Sequence, residues 1–305
     1  SKAGRAMKEN RSAKILIAIL SAFAYLPLRA MYVLSDIAFL LVYYVARYRR
    51  RVVDDNLAQC FPDMDQKARA AIRRQFYRNF CDTFVEAVKL LHISDKEICQ
   101  RMQFENTALI DELLSQGKSV AVYFSHCGNW EWAPSVTLHT THHQGVEYCQ
   151  VYRPLRNHAF DALMLRIRSR FGSLSFAKVT VFRDLVHLKR DNVLTVTGFM
   201  SDQKPSHNDP TVVTMFLNRP TAFISGTETL ARRIGLAAIY WDMEKTARGH
   251  YRITCRLLDD GTHAGEPGTL TRNYAAMLQD TITRNPAIWL WTHKRWKIPV
   301  TMPAQ

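Results

Sequence analysis

The stretch SVAVYFSHCGNWE, residues 119–131, decides the fold. Residues 120–124 are apolar without interruption, a pattern typical of a strand that is buried on both faces, as in a parallel sheet. Strands that alternate with helices predict an α/β fold with a mixed, mostly parallel sheet flanked by helices. Further strands are predicted at 146–151, 192–199, 237–241 and 251–257, and helices at about 157–171, 181–190 and 225–234.

Composition narrows the classes of protein to which the chain can belong. It has 305 residues, of which 47% are hydrophobic, so an intrinsically disordered chain is excluded. The net charge of +14 predicts an anionic partner, and nucleic acid, anionic lipid and acidic protein all qualify. No nucleic-acid-binding motif is present, and much of the positive charge lies beside an apolar segment. We therefore expect an anionic membrane and no nucleic acid.

The apolar segment spans residues 15–45, with Pro27, Arg29 and Asp36 as interruptions. Neither half reaches the roughly 20 apolar residues that span a bilayer, so a kinked spanning helix and two interfacial helices both fit. Arginines and tyrosines follow at 43–51, a mixture typical of the cytoplasmic headgroup level. A buried helix of a soluble domain is the alternative, but it does not need the arginines.

We predict a membrane anchor over residues 1–51 and one α/β domain over residues 52–305. The basic N-terminus is followed by no small-residue cleavage site, so an anchor is favoured over a removed signal peptide. Within the domain, residues 52–92 have amphipathic helical periodicity, with an apolar face of Phe76, Phe80, Phe84 and Val88. The six cysteines include no CxxC pair and predict reduced thiols that face the cytoplasm.

His126 and Glu131 are the residues most suited to chemistry. They stand five positions apart, and on one continuous helix their side chains would point about 140° apart. They can meet only if His126 lies in a loop. Gly128 permits a tight turn in such a loop, and Asn129 is a favoured N-cap for the helix that would follow it. A carboxylate beside an imidazole holds one tautomer and stabilises the imidazolium. We therefore predict a general base, His126, oriented by Glu131.

Several motifs along the chain resemble those of the lipid A biosynthesis acyltransferase family, also called the late or secondary lipid A acyltransferases. The resemblance runs from about residue 26 to residue 299, and the hallmark of that family is an HxxxxE/D pair in this loop. Cys127 departs from the family, which often has a bulky residue there. The matching motifs are RYRRRVVDDNL (47–57), HCGNWE (126–131), VYRP (151–154), SDQKP (201–205), SGTE (225–228) and WTHKRWK (291–297).

This resemblance implies a glycerolipid-acyltransferase-like fold and an O-acyltransferase. The enzyme would move a fatty acyl chain from acyl carrier protein, or from acyl-CoA, to a hydroxyl of a lipid A precursor, without metal or cofactor. It would act at the bacterial inner membrane with its active site facing the cytoplasm. The substrate-binding residues expected from the matching motifs are Arg153, Asp202, Gln203, Lys204, Thr227 and Glu228.

Some of these motifs have structural explanations as well. Ser225 and Glu228 fit a capping box, and the loop from Asp202 to Lys204 fits a solvated turn before a proline. Arg153 suits an oxyanion or an ordinary surface salt bridge. The aromatic and basic residues at 289–297 suit a headgroup, an acidic carrier protein or packing on the core.

Other functions stay open at this stage. The same dyad would serve an acyltransferase that acts on another lysolipid, an aminoacyl lipid or a glycolipid. Cys127 is a candidate nucleophile, although adjacent residues around a turn rarely place their side chains within hydrogen-bond distance. His139, His142 and His143 lack zinc-site spacing and predict a solvated loop. A catalytically silent scaffold is a further alternative, against which the intact dyad argues.

Overall fold

The computed structural model describes the backbone of residues 2–304 and the side chains of residues 11–304. Within that range the strands are β1 (Met102–Glu105), β2 (Val120–Phe124), β3 (Val146–Tyr152), β4 (Leu174–Ala177), β5 (Leu194–Met200), β6 (Thr211–Phe216), β7 (Arg219–Ile224), β8 (Ala237–Ala247) and β9 (His250–Asp259). The α-helices are α1 (Lys2–Phe23), α2 (Leu28–Leu40), α3 (Arg50–Cys60), α4 (Gln66–Lys89), α5 (Asp95–Arg101), α6 (Ala108–Ser115), α7 (His158–Ser169), α8 (Val181–Arg190), α9 (Gly226–Ile234) and α10 (Thr269–Arg284).

The central sheet has the strand order β1-β9-β8-β2-β5-β3-β4. Every neighbouring pair is parallel except β8 and β9, which are antiparallel because a tight turn at Gly249 joins them directly. Strands β6 and β7 form a separate antiparallel hairpin. The prediction of a mixed, mostly parallel sheet flanked by helices is confirmed. Strands β1, β4, β6 and β7 were not predicted, since each has only four to six residues.

Strand β2 lies at the centre of this sheet, as its apolar run predicts. Residues 120–123 are buried, and β2 pairs with β8 on one side and β5 on the other. Residue Phe124 at the end of β2 lies opposite Met200 at the end of β5. Parallel strands end at the same edge of a sheet, so the loops that follow β2 and β5 meet there.

Helix α4 buries a different face from the predicted one. Phe76 is buried, but Phe84 is 61% exposed, so the predicted apolar face does not pack on the core along its length. The buried face instead carries four polar residues at heptad-like spacing. These are Asn79, Asp82, Glu86 and Lys89. Each has hydrogen-bond partners, which is the condition under which polar groups are tolerated in a core.

The predicted anchor forms two helices that meet near Pro27, followed by a π-helical turn, Leu41–Ala46. Residues Leu28–Ala46 are the one segment, within the part of the chain that the structure describes, that is long and apolar enough to cross a membrane. Helix α2 also packs on α4, where the Ser35 hydroxyl donates to Asp82 (2.6 Å) and the Tyr32 hydroxyl to Glu86 (3.1 Å). The boundary between residues 51 and 52 stays a prediction.

The outer face of the α2 segment is apolar and exposed. Its large side chains are each at least 41% exposed, and together they form a continuous stripe at helical spacing. A contiguous apolar surface of this kind marks an interaction with a membrane or with a protein. We name it the outer stripe; its members are Val33, Leu34, Ile37, Leu40, Leu41, Tyr44 and Val45.

We expect the outer stripe to bind lipid bilayers. The double variant Ile37→Glu/Leu41→Glu places two carboxylates one turn apart on it and should weaken partitioning into anionic vesicles by about tenfold or more. Vesicle flotation measures the bound fraction. The matched control is Leu155→Glu/Val179→Glu, which adds the same charge at exposed apolar residues outside the stripe. Unchanged flotation of the stripe variant would show that the membrane contact lies elsewhere.

Candidate active site

His126 is fixed at the end of β2 by a carboxylate from the neighbouring strand. Asp202 follows β5, and its Oδ2 accepts a hydrogen bond from the His126 backbone N–H (2.9 Å). Its Oδ1 lies 2.8 Å from Nδ1 of the His126 imidazole. The carboxylate thus holds both the backbone and the ring of the histidine. A ring whose Nδ1 donates to a carboxylate presents Nε2 as its free base nitrogen.

Asp202 is ionised although its side chain is only 2% exposed. Burial alone would raise the pKa of this carboxyl. The charge of His126, the two hydrogen bonds from His126 and a third from Trp289 Nε1 (3.0 Å) outweigh that effect and lower the pKa to about 2. Asp202 is therefore a permanent anion in the pH range in which an imidazole titrates.

Glu131 does not contact His126 in this way, so the prediction of a direct Glu131–His126 pair was wrong. Both Glu131 oxygens accept hydrogen bonds from the guanidinium of Arg168 on α7, at 3.2 and 2.9 Å. Glu131 does lie in the first turn of a helix, as predicted, but that helix is a 3₁₀ helix, Trp130–Leu138. Its first turn directs Glu131 toward α7, while Asp202 occupies the position beside the imidazole.

The turn between His126 and Glu131 forms as predicted. Gly128 has a positive φ of 58°, which favours glycine, and Asn129 accepts a hydrogen bond from the Trp132 backbone N–H (3.2 Å) as an N-cap. A Cβ at Gly128 would also lie 2.7 Å from Cγ of Met243. The Gly128 N–H donates to the carbonyl of Ile288 (2.9 Å), which ties this turn to the C-terminal segment. A side chain at residue 128 would therefore be strained and would displace Met243.

The C-terminal motif WTHKRWK packs on the core and forms hydrogen bonds to the Asp202 loop. Arg295 is buried and donates to the backbone carbonyl of Asp202 (2.7 Å). Nε2 of His293 accepts from the backbone N–H of Lys204 (3.0 Å), and burial lowers the pKa of His293 to about 4, which keeps this imidazole neutral. Of the alternatives for this motif, packing on the core is the one that these contacts support.

The other predicted substrate-binding residues fall into two groups. Arg153 follows β3, next to β5, and is exposed, while Gln203 and Lys204 continue the Asp202 loop. All three therefore lie at the same sheet edge as His126. Thr227 and Glu228 lie deeper, where Thr227 contacts Ser201 through their hydroxyls (3.2 Å).

Glu228 has a structural task that the sequence did not reveal. Its carboxylate accepts hydrogen bonds from the backbone N–H groups of Gly268 (2.6 Å) and Thr271 (2.8 Å), at the start of α10. It also pairs with Arg232 (3.1 Å). The predicted capping box was wrong, because Ser225 makes no side-chain cap and Glu228 caps another helix. Its contact with a substrate stays a prediction.

Cys127 is unsuited to nucleophilic attack. It is fully buried, and burial raises the pKa of its thiol, so the reactive thiolate is suppressed. Its backbone bridges to Trp289 on the C-terminal segment. The residue acts as a small apolar filler between the turn and that segment.

Two clefts meet at Asn79 and Lys245, and one of them reaches His126. The first is narrow, with a cavity volume of about 20 Å³, and is lined by His126, Gly128 and Lys245 and by aromatic and aliphatic side chains that include Phe76, Phe80, Trp130 and Leu290. The second, of about 330 Å³, is polar, and it shares Asn79 and Lys245 with the first. Its other lining residues are Asp36, Gln75, Arg78, Asp82, Ala247, Arg248 and Asn285. We call them the aromatic cleft and the polar cleft.

Two comparisons with known proteins match this chain to the same kind of enzyme. The sequence model of the bacterial lipid A biosynthesis acyltransferase family matches residues 6–298. A protein named lipid A biosynthesis acyltransferase from Haemophilus influenzae is 24% identical over 162 residues. That alignment covers 53% of this chain and 50% of the relative, so the chain spans about half the length of the curated relative it matches.

The hydrogen bonds predict which carboxylate governs the His126 imidazole. Asp202→Asn should raise the share of the Nε2–H tautomer, because an amide no longer requires a donor at Nδ1. Glu131→Gln should leave the tautomer unchanged, since Glu131 contacts Arg168 instead. Imidazole ¹⁵N chemical shifts, assigned by difference from His126→Gln, report the tautomer. The reverse pattern, a response to Glu131→Gln alone, would rule out the Asp202 pairing in solution.

Proposed function

Because the chain belongs to the bacterial lipid A biosynthesis acyltransferase family, we propose that it moves a fatty acyl chain from an acyl thioester to a hydroxyl of a lipid A-type glycolipid. One observation carries the proposal. An imidazole held by a permanent buried anion opens into an apolar cleft next to a polar one. Acyl transfer to a lipid hydroxyl needs such a base, an apolar surface that the chain can contact and a polar site for the headgroup.

In the proposed mechanism His126 acts as the catalytic base. Nε2 takes the proton of the acceptor hydroxyl as that oxygen attacks the thioester carbonyl, and Asp202 stabilises the imidazolium that forms. The new C–O bond forms and the C–S bond breaks, after which the imidazolium returns the proton to the leaving thiolate. The acyl group passes directly between substrates, which the burial of Cys127 supports.

Glu131 enters this mechanism through Arg168. The two hydrogen bonds between them join the first turn after the His126 loop to α7, the helix that follows β3 and Arg153 in the chain. We propose that the pair is a positioning element that fixes the aromatic cleft wall around Trp130 relative to Arg153. Arg153 is exposed at the same edge and suits a phosphate or the thioester oxyanion.

The thioester donor is proposed to be acyl carrier protein, with acyl-CoA as the alternative. The net charge of +14 favours an acidic carrier, and Lys204 and Arg153 supply cations at the edge where the thioester must arrive. We propose that the enzyme lies at the inner membrane with this edge facing the cytoplasm, where carrier proteins reside. The arginines of residues 47–51 support that orientation.

The acceptor headgroup is proposed to occupy the polar cleft. Asp36 on α2 lines this cleft, and the outer stripe of α2 starts at Val33, so the cleft opens beside the proposed membrane face. Arg248 is already paired with Asp36 and Asp82, both at 2.8 Å. Arg78, which lies over the ring of Phe39, has no carboxylate within 4.0 Å among the described residues. Its guanidinium is thus free to bind a phosphate of the acceptor.

We expect His126→Ala to lower kcat by about 10² to 10⁴-fold, the usual contribution of a general base. Glu131→Ala and Arg168→Ala should each cost less, and the double variant no more than either single one, because both remove the same ion pair. Mass spectrometry of products from acyl-carrier-protein and acyl-CoA donors with a panel of lipid hydroxyl acceptors measures turnover and substrate class. Asp280→Asn, at an exposed residue of α10, is the control.

Near-normal turnover of a folded His126→Ala variant would contradict the proposed role of His126 as the catalytic base. Full activity toward a lysolipid or an aminoacyl lipid, with none toward a phosphorylated glucosamine disaccharide, would instead show that the proposed acceptor class is wrong. These two outcomes separate the chemistry from the substrate.

Arg78→Ala should raise the KM for a phosphorylated acceptor by about tenfold and leave the KM for its dephosphorylated counterpart unchanged, because the lost partner is the phosphate. Arg74→Ala, an exposed arginine on the same helix that does not line the cleft, is the matched control. An equal effect of Arg78→Ala on both acceptors would show that the phosphate binds elsewhere.

A further inference from the structure

Glu86 lies at the centre of a buried polar network next to the His126 loop. Its side chain is fully buried on α4. One oxygen accepts from the hydroxyl of Tyr32 (3.1 Å), and the other accepts from Nδ2 of Asn129 (2.9 Å). The hydroxyl of Tyr251 lies within hydrogen-bond distance of both oxygens, at 2.9 and 2.7 Å. Three donors from α2, β9 and the His126 loop therefore converge on one carboxylate.

The direction of the bond to Asn129 is fixed by its capping contact. Oδ1 of Asn129 accepts from the Trp132 backbone N–H, which leaves Nδ2 to face Glu86. The Trp132 ring adds a second connection, because its Nε1 donates to the backbone carbonyl of Glu86 (3.0 Å). The side chain of Glu86 thus holds the N-cap of the 3₁₀ helix after His126, and its backbone holds Trp132 in the first turn of that helix.

The hydrogen-bond donors around Glu86 favour its carboxylate form, whereas its burial favours the protonated form. Burial raises the pKa of this carboxyl to about 7, and the Tyr251 hydrogen bond and the charge of Lys245 oppose a further rise. Asp82, one helical turn earlier on α4, raises it. A proton on the carboxyl would compete with the three donors that point at it, so the network is complete only with the carboxylate.

We propose that Glu86 is a positioning residue for acyl transfer, which fixes the His126 loop through Asn129 and couples it through Tyr32 to the docking of α2. This inference rests on the proposed function. Glu86 touches neither cleft and acts only through the loop. Tyr32 lies on the helix that carries the outer stripe, so a shift of that helix relative to α4 reaches Asn129 through a single carboxylate.

A swap of donor and acceptor tests the bond between Glu86 and Asn129. In Glu86→Gln, the new amide N–H₂ either faces the N–H₂ of Asn129 or turns away and loses the tyrosine hydrogen bonds. In Asn129→Asp, the new carboxylate faces the carboxylate of Glu86 and repels it. Each single variant should lower kcat by about 10- to 100-fold with little change in the donor KM, as expected from a small displacement of the base. In Glu86→Gln/Asn129→Asp, the amide introduced on α4 can donate to the carboxylate introduced in the loop, which still caps the Trp132 N–H.

The double variant should therefore recover most of the lost kcat. Glu112→Gln, at an exposed residue of α6, is the matched control. The His126 imidazole ¹⁵N signal should move in both single variants and return in the double variant, and this readout needs no turnover. Failure of the proposed function would leave that signal pattern intact, so the two ideas can fail separately.

Singles with wild-type kcat, or a folded double variant that is no better than the singles, would overturn the proposal. Should the Glu86 variants unfold, Tyr32→Phe keeps the ring and removes only the hydroxyl bond to Glu86. It should lower kcat several-fold, lower the melting temperature by only a few degrees, and shift the His126 signal. An unchanged signal and kcat in Tyr32→Phe would overturn the coupling to α2.

Discussion

The site depends on one buried negative charge. Asp202 receives hydrogen bonds from the His126 backbone, the His126 ring and the Trp289 indole, and Arg295 holds its backbone carbonyl. A buried carboxylate without such partners would be protonated, because desolvation disfavours the charged form by several kcal/mol. Every segment that meets at this edge of the sheet therefore has to be in place before the imidazole gains its fixed orientation. The strand order brings the β2 and β5 loops together, and the C-terminal segment supplies the remaining donors.

Much of the fold and part of the site could be predicted from the sequence. The apolar run at 120–124 gave the central strand, and the alternation of strands and helices gave the sheet class. Local backbone features were equally accessible, since Gly128 and Asn129 each have one strong preference, for a positive φ and for an N-cap. Such features depend on neighbours a few residues away, and sequence spacing expresses them directly.

Contacts across the chain were not accessible in the same way. Asp202 stands 76 residues from His126, and only the sheet topology makes them neighbours. Glu131 was the nearer carboxylate along the chain, and no spacing rule predicts that its first turn would point it to Arg168. The predicted apolar face of α4 was wrong for another reason. Its regularly spaced phenylalanines are partly exposed, while Asn79, Asp82 and Glu86 lie on the side that faces the core. The spacing of these polar residues was the sequence feature that could have indicated the buried face of α4.

The contact between the Asp202 loop and residues 289–295 has a consequence for biosynthesis. A chain is made from its N-terminus, and its domains fold largely in that order. Helices α1 and α2 therefore leave the ribosome long before Trp289 and Arg295 exist. Once Asp202 has been made, its carboxylate still lacks the Trp289 indole and its backbone carbonyl still lacks the Arg295 guanidinium, and the turn at Gly128 lacks the Ile288 carbonyl. The apolar N-terminal helices are exposed in this period, whereas the imidazole becomes ordered only after residues 288–295 have been made. The exposed apolar surface of α2 therefore forms before the site around His126 is ordered.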